Sequence, residues 1–191
     1  MVQLTTIYTR TGDDGRTRLG DMSEADKHDP RVEAYGTVDE ANAAIGLAVA
    51  AMKPEDPLHA ELTRIQNDLF DLGADLCVPE SEAPRSWTPL RMKPEQTVRL
   101  EGVIDAFNAR LNALGSFILP GGSEASARLH LARTITRRAE RCVTALMAAG
   151  GNVSPAVITY LNRLSDLLFV AARIANDDGR ADVKWVPGKA P

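Results

Sequence analysis

Five apolar stripes at helical spacing run along this 191-residue chain, each cut off by proline or glycine, and an antiparallel helical bundle is the arrangement that buries all five. The first runs from Pro30 to about Met52, with Val32, Tyr35, Val38 and Ala41 to Ile45 in step, and Lys53-Pro54 ends it. The second follows Pro57 and carries Leu58, Leu62, Ile65, Leu69 and Leu72 to near Cys77. Residues 79 to 92 hold three prolines and read as a loop. Pro94 opens a third helix containing Val98, Leu100, Val103, Ile104, Phe107 and Leu111, and Leu119-Pro-Gly-Gly122 breaks it. Ser123 or Ser126 starts a fourth helix that lasts to about Ala149. Gly150-Gly-Asn-Val-Ser154 stops that one. Ser154 is then a natural cap, with Pro155 at the first position of a fifth helix that reaches about Asn176.

The first twenty residues read differently. Thr5 to Arg10 is β-branched and aromatic, Asp14-Gly15 is a turn pair, and Arg16 to Leu19 could run back, which predicts a short hairpin or an ordered loop. The expectation is an all-α single domain over residues 1–191: an N-terminal loop (1–28), a five-helix bundle (29–178) and a tail (179–191).

Composition narrows the function. Apolar residues make up 44% and charged residues 25%, an ordinary globular balance. The formal charge of −4 sets up no basic field for nucleic acid or an anionic membrane, so any anion site must be local. No stretch approaches the roughly 20 apolar residues of a membrane span, and no N-terminal run resembles a signal peptide. A cytosolic or organelle-matrix protein is expected, with the cytoplasm as its compartment. Cys77 and Cys142 lack metal-ligand spacing and read as buried thiols. The three histidines, His28, His59 and His130, fall on separate segments, with no Ser-His-Asp set and no Glu-x-x-His pair. No protein-held metal is expected.

Clustered arginines are the informative exception. At about 100° per residue, Leu131, Ile135, Cys142 and Leu146 share one face of the fourth helix, expected to be core. Arg133, Arg137 and Arg141 follow on the opposite face, with Ser126, His130 and Glu140 beside them and Arg138 on the flank. Such a stripe is either a solvated charged face or an anion site. Four arginines within nine residues repel one another, and the uniform choice of Arg over Lys suits forked recognition of phosphate or carboxylate. An outward stripe encloses a site only under a cover, and a neighbouring subunit is the simplest one. On the fifth helix, Val157, Leu161, Leu164, Leu168 and Ala175 form the apolar face, with Asn162, Asp166, Arg173 and Phe169 opposite. Asp39 and Glu40 on the first helix either orient an arginine of the fourth or face solvent. The loop from Thr9 to Arg18 mixes glycines, hydroxyls and guanidinium groups, the parts of a phosphate nest, without the Gly-Lys-Ser/Thr ending of a P-loop.

Five ordered motifs carry a resemblance. Ile7-Tyr-Thr-Arg-Thr-Gly-Asp13, Glu33-Ala-Tyr-Gly-Thr-Val-Asp-Glu40, Phe117-Ile-Leu-Pro-Gly-Gly122, Arg133 to Arg141 and Tyr160-Leu-Asn-Arg-Leu-Ser-Asp166 make the chain similar, over essentially its whole length, to the PduO-type corrinoid adenosyltransferases. The resemblance implies a five-helix bundle assembling as a homotrimer, with ATP and cobalamin held where subunits meet. It implies that ATP phosphates lie against Thr9, Arg10, Thr11 and Gly12 with Thr17 and Arg18, and that Lys27 is near the nucleotide. It makes Arg137, Arg138, Ala139, Glu140 and Arg141 the main triphosphate stretch and Asn162 an ATP contact. Arg133 and Asp39 match a salt bridge between subunits, and Phe117 an aromatic that crowds the lower face of the corrin. The catalytic set so implied is Arg137, Phe117, Arg133 and Asp39. The sequence departs from the family at Arg10 and Asp14, where relatives commonly carry lysine. Arg10 keeps the charge and Asp14 reverses it.

The implied reaction is attack of cob(I)alamin on the 5′ carbon of ATP, with magnesium riding on the nucleotide and triphosphate leaving. A flavin-dependent reductase and an adenosylcobalamin-dependent mutase are the implied protein partners, with no nucleic acid and no membrane. Two other readings stay open: a chaperone that carries adenosylcobalamin to a mutase without making it, and a helical scaffold whose arginines form only structural ion pairs.

Overall fold

The computed structural model describes residues 7–81 and 84–188. Within them are a small antiparallel hairpin, β1 (Arg16–Arg18) and β2 (Glu24–Asp26), and five helices: α1 (Pro30–Val49), α2 (Pro57–Cys77), α3 (Pro94–Asn108), α4 (Glu124–Ala148) and α5 (Pro155–Ile174). Local chemistry explains the helix starts. Pro30, Pro57, Pro94 and Pro155 each open a helix, where proline's fixed φ and missing N–H cost nothing. The side chains of Asp29, Asp56, Ser123 and Ser154 accept from backbone amides of the first turn.

Contacts along the helices give the directions. Thr37 meets Cys142 while Leu47 meets Arg128, so α1 and α4 are antiparallel. Asn162 meets Glu140 while Ser123 meets Asn176, so α4 and α5 are antiparallel as well. In contrast, α3 and α5 run the same way, with Glu101 beside Arg163 and Asn112 beside Arg173. Leu58, Leu62, Ile65, Leu69, Leu72, Leu100, Leu129, Leu161 and Leu164 fill the core. Each such side chain contributes roughly 1.5–3 kcal/mol on burial. A polar knot is sunk among them. The Asp68 carboxylate on α2 accepts from Tyr160 Oη on α5 at 2.8 Å, from Gln96 Nε2 on α3 at 3.0 Å, and from Arg99. No helix among the described residues is long and apolar enough to cross a membrane.

Several expectations need correction. The fold is mostly helical rather than all-α, because of the hairpin. Arg16–Arg18 is the first strand of that hairpin, not the returning one, and the turn spans residues 19 to 22, closed by Met22 N donating to the Leu19 carbonyl. Of the proposed β-branched start, Thr5 and Thr6 lie outside the described residues, as do residues 82 and 83 of the long loop and 189 to 191 of the tail. Helix α3 stops at Asn108, so Leu111 lies beyond it. Tertiary contacts take over there: the buried Arg173 donates to the Asn112 carbonyl at 3.0 Å, and Arg110 pairs with Asp178.

The core face of α4 also differs. Of the expected face, Leu146 is buried and Ile135 and Cys142 pack partly buried against the core, but Leu131 is 52% exposed, and the buried line is Ser126, Leu129, His130, Ala132, Thr136, Ala139, Val143 and Leu146. Small residues at Ala132, Thr136 and Ala139 let α4 approach its neighbours closely, and close approach outweighed side-chain bulk in choosing the face. Ser126 and His130 are therefore buried rather than beside an outward stripe. Arg173 is buried too, paired with Asp182 at 2.8 Å, and does not join Asn162 and Asp166.

Candidate active site

Three polar or aromatic surfaces emerge from this frame. The first is the N-terminal loop. Lys27 N donates to the Gly15 carbonyl at 2.9 Å, and Lys27 Nζ folds back on the Gly12 carbonyl. A Cβ at Gly12 would come to 2.9 Å from Arg16 O and 3.2 Å from Lys27 Nζ, so the tight loop needs glycine there. The result is a cavity of about 570 Å³ lined by Thr11, Gly12, Asp14, Arg16, Thr17, Arg18, Glu24 and Lys27. Thr9 is exposed and its hydroxyl pairs with that of Thr11 at 2.9 Å. Arg10 is exposed, has a left-handed φ of 62°, and stacks over Tyr8, outside the lining. Asp14 is a turn former: its carboxylate accepts from Arg16 N at 3.1 Å. Glu24 pairs with Arg16 at 2.9 Å, so the cationic groups of the cavity that lack an ion pair among the described residues are Arg18 and Lys27.

The second surface is the arginine array of α4. Arg137, Arg138 and Arg141 are exposed, and Ala139 between them is buried against the core. Arg137 Nη1 reaches Ser165 Oγ at 3.5 Å, and Arg141 Nη1 donates to the Arg137 carbonyl at 3.1 Å. Arg138 pairs with Glu40 of α1. Glu140 Oε1 accepts from Asn162 Nδ2 at 2.9 Å, which brings the α5 asparagine to this helix. Arg133 is half-buried, and its Nε has no hydrogen-bond partner among the described residues. Burial, then the neighbouring Arg137, pulls its pKa below the ordinary arginine value. Asp39 does not meet it. That carboxylate is exposed on α1, beside a groove of about 310 Å³ lined by Tyr35, Val38, Asn42, Leu69, Phe70 and their neighbours. Of Asp39 and Glu40, it is Glu40 that meets an arginine of α4 within the chain.

The third surface is aromatic. Phe117 is 78% exposed, with its ring 6.2 Å from Trp185 at an interplanar angle of 59°. Leu114, Gly115, Ser116, Phe169 and Pro187 complete the walls of a cavity of about 720 Å³ around the pair. Behind Phe169 lies His130, edge-on at 6.2 Å, with its Nδ1 unpartnered among the described residues. Burial, then Arg133, lowers its pKa below the ordinary value, against a weaker opposing pull from Asp182.

Within one chain, then, Thr11, Gly12, Thr17, Arg18 and Lys27 come together in one cavity, and Arg137, Arg138, Glu140, Arg141 and Asn162 in one array. No hydrogen bond or ion pair joins these two groups among the described residues. Sequence reasoning did not single out Ser165 or Trp185. The available signal for Trp185 was a large aromatic beside Val183 and Val186 in a tail beyond the last helix.

Residues 7–175 match the family model described as cobalamin adenosyltransferase. A corrinoid adenosyltransferase of Mycobacterium tuberculosis is 56% identical over 190 residues, covering 98% of this chain and 96% of that protein. A corrinoid adenosyltransferase of Bacillus subtilis is 45% identical over 183 residues, covering 94% and 91%. Among solved structures, a variant PduO-type ATP:corrinoid adenosyltransferase from Lactobacillus reuteri, complexed with cobalamin and ATP, superposes with a TM-score of 0.88 at 41% identity, covering 96% of this chain and 98% of that one. Likeness of this extent in both sequence and fold means that the chain belongs to the PduO-type ATP:corrinoid adenosyltransferase family.

Proposed function

We infer that this chain transfers the 5′-deoxyadenosyl group of ATP to cob(I)alamin, forming a cobalt–carbon bond and releasing triphosphate. It is a corrinoid adenosyltransferase, like the relatives it matches. Cobalt is the nucleophile in this chemistry, so the protein needs no catalytic base. Its tasks are to hold ATP, to stabilise charge on the leaving triphosphate and to keep the cobalt reducible.

The observation that carries the residue roles is the exposed Arg137–Arg141 array, with Asn162 drawn to it through Glu140. Forked guanidinium donors aimed at developing charge lower the barrier to departure of a phosphate chain. Thr11, Gly12, Thr17, Arg18 and Lys27 supply the matching donors around the loop cavity, with Thr9 and Arg10 at its approach. Magnesium rides on the ATP phosphates rather than in an all-protein cage. Because no hydrogen bond or ion pair joins loop and array among the described residues of one chain, we take the working site as composite, with a homotrimer as the assembly proposed. Among the described residues Arg133 Nε has no hydrogen-bond partner and Asp39 is exposed with no ion pair, and the two fit one salt bridge across that interface. Phe117, apolar and 78% exposed, suits the lower face of the corrin, where it excludes water and the cobalamin base from cobalt. An external one-electron donor, of the flavin-dependent reductase class, supplies cob(I)alamin, and an adenosylcobalamin-dependent mutase consumes the product.

The test is direct. Protein, ATP and cob(I)alamin are mixed, and adenosylcobalamin is followed by absorbance while triphosphate is assayed. A protein that binds adenosylcobalamin yet releases no triphosphate is a carrier, and that outcome refutes the transferase reading. Sedimentation of Asp39→Asn and Arg133→Ala checks the interface, since intact trimers in both would rule out the proposed bridge.

A further inference from the structure

Phe117 stands on the connection between the end of α3 at Asn108 and the start of α4 at Glu124. What holds that connection is the C-terminal tail. Leu119 N donates to the Val183 carbonyl at 2.8 Å and Trp185 N to the Phe117 carbonyl at 2.8 Å. Ser116 Oγ donates to the Trp185 carbonyl at 2.9 Å, and Ile118 and Lys184 form an antiparallel bridge between these bonds. The tail is itself anchored in the core. The buried Asp182 carboxylate accepts from Arg173 Nε at 2.8 Å and from Asn176 Nδ2 at 2.9 Å. The other end of the connection meets the same anchor, since Ser123 N donates to Asn176 Oδ1 at 3.1 Å. A buried ion pair at the end of α5 is thus linked, bond by bond, to the loop that carries Phe117.

The Trp185 ring is placed to finish that linkage. It lies 6.2 Å from the Phe117 ring in a tilted arrangement, within the about 4.5–7 Å range where aromatic pairs attract. It also lines the Phe117 cavity with Phe169 and Pro187 while 46% exposed, so its apolar surface remains available to a flat hydrophobic ligand.

We propose that Trp185 is a positioning residue for adenosyl transfer: the tail strand fixes Phe117 against the lower face of the corrin, and the indole is the second wall of that cavity. The proposal rests on the reading of Phe117 given under the proposed function. The ring's role is separable from the strand's, because the strand pairs through backbone atoms that survive a side-chain change. Loss of the indole frees Phe117 to change rotamer, and a misplacement of about 1 Å near reacting groups costs up to about a hundredfold in rate.

The test compares wild type, Trp185→Ala, Trp185→Phe and Phe117→Ala. ATP-loaded complexes with cob(II)alamin are measured by electron paramagnetic resonance and absorption for the fraction of cobalt lacking a lower ligand. Turnover, KM for ATP and thermal melting are measured beside them. Trp185→Ala is expected to lower that fraction and to cut kcat about tenfold or more, with KM for ATP within about twofold, and Trp185→Phe to recover most of the loss. If Trp185→Ala matches wild type in spectrum and kcat while Phe117→Ala loses both, the positioning role is overturned and the Phe117 reading stands. If Phe117→Ala matches wild type too, both fall. A lowered melting temperature with no spectral change, unrecovered by Trp185→Phe, means a purely structural role and also overturns the proposal. Should the alanine variant not fold, Trp185→Leu, which keeps apolar bulk without a ring, takes its place in the same comparison.

Discussion

Arg137→Ala separates what this arginine does for chemistry from what it does for folding. Among the described residues its guanidinium donates only to Ser165 Oγ, at 3.5 Å, and it has no ion pair. An exposed side chain with so long a contact adds little stability, so alanine there costs about 0.5 kcal/mol or less. In a domain of this size that moves the melting temperature by roughly 1–2 °C. Losing one charge-assisted donor from a leaving triphosphate is far larger, about 2.7–4 kcal/mol by analogy with oxyanion-hole donors. At about 1.36 kcal/mol per decade, kcat falls about 10²–10³-fold. Arg138 is the internal comparison. It is engaged by Glu40, with side chains 47% and 58% exposed, in a pair contributing about 0.2–1 kcal/mol. Held toward α1, it is expected to lose less turnover than Arg137 when replaced by alanine. The assay is steady-state formation of adenosylcobalamin at saturating ATP, with a melt on the same samples. An Arg137→Ala enzyme within about threefold of wild-type kcat and with an unchanged melt refutes the assignment of this array to triphosphate.

The remaining expectations concern the scaffold behind the site. Gly122 has a φ of +99°, and a methyl group there would overlap the Asn176 side chain. Gly122→Ala is therefore expected to cost about 2 kcal/mol or more and to lower melting by roughly 4–8 °C; a drop under about 2 °C would show that the turn relaxes freely. Tyr160→Phe removes a buried donor to Asp68, with an expected loss of about 1–3 kcal/mol in urea unfolding. An unchanged midpoint would mean that Gln96 and Arg99 satisfy that carboxylate without it. His130, ordinarily titrating near 6.5, has its pKa lowered by burial and Arg133, so the unfolded chain takes up its proton first as pH falls. Its contribution is fully present above that value and is lost as pH drops from about 6.5 toward the lower folded pKa. Melting at pH 7.5 and 5.5 should show a smaller acid loss in His130→Gln than in wild type, and equal losses would remove His130 from the account.

Helix positions were legible because their signals are local. A proline at a helix start and an aspartate or serine just before it act within one turn, and Pro57 and Pro155 opened α2 and α5 as expected. The inward face of α4 was legible only in part. Leu131 was expected inside and is exposed, and Ile135 and Cys142 pack against the core only partly buried, while Ala132, Thr136 and Ala139 are fully buried, because what matters there is how closely α1 and α5 approach. For the same reason His130 and Arg173 read as surface residues and are buried, each meeting partners remote in sequence: Phe169 for one, Asp182 and Asn112 for the other. The end of α3 was misread because a long-range contact from Arg173, not a local breaker, accompanies the stop.

By itself the sequence determined the five-helix plan, the clustering of arginines on one helix and, through its ordered motifs, the family. Those properties depend on neighbours within a turn or on motif identity, which a linear string carries. Only the tertiary structure decided which acid an arginine meets: Glu40 rather than Asp39 for Arg138, leaving Asp39 and the Arg133 Nε without partners among the described residues. Only it joined the tail to the Phe117 loop. Both outcomes hang on distances of a few ångströms between segments far apart along the chain, and spacing in sequence does not encode such distances until the helices have packed.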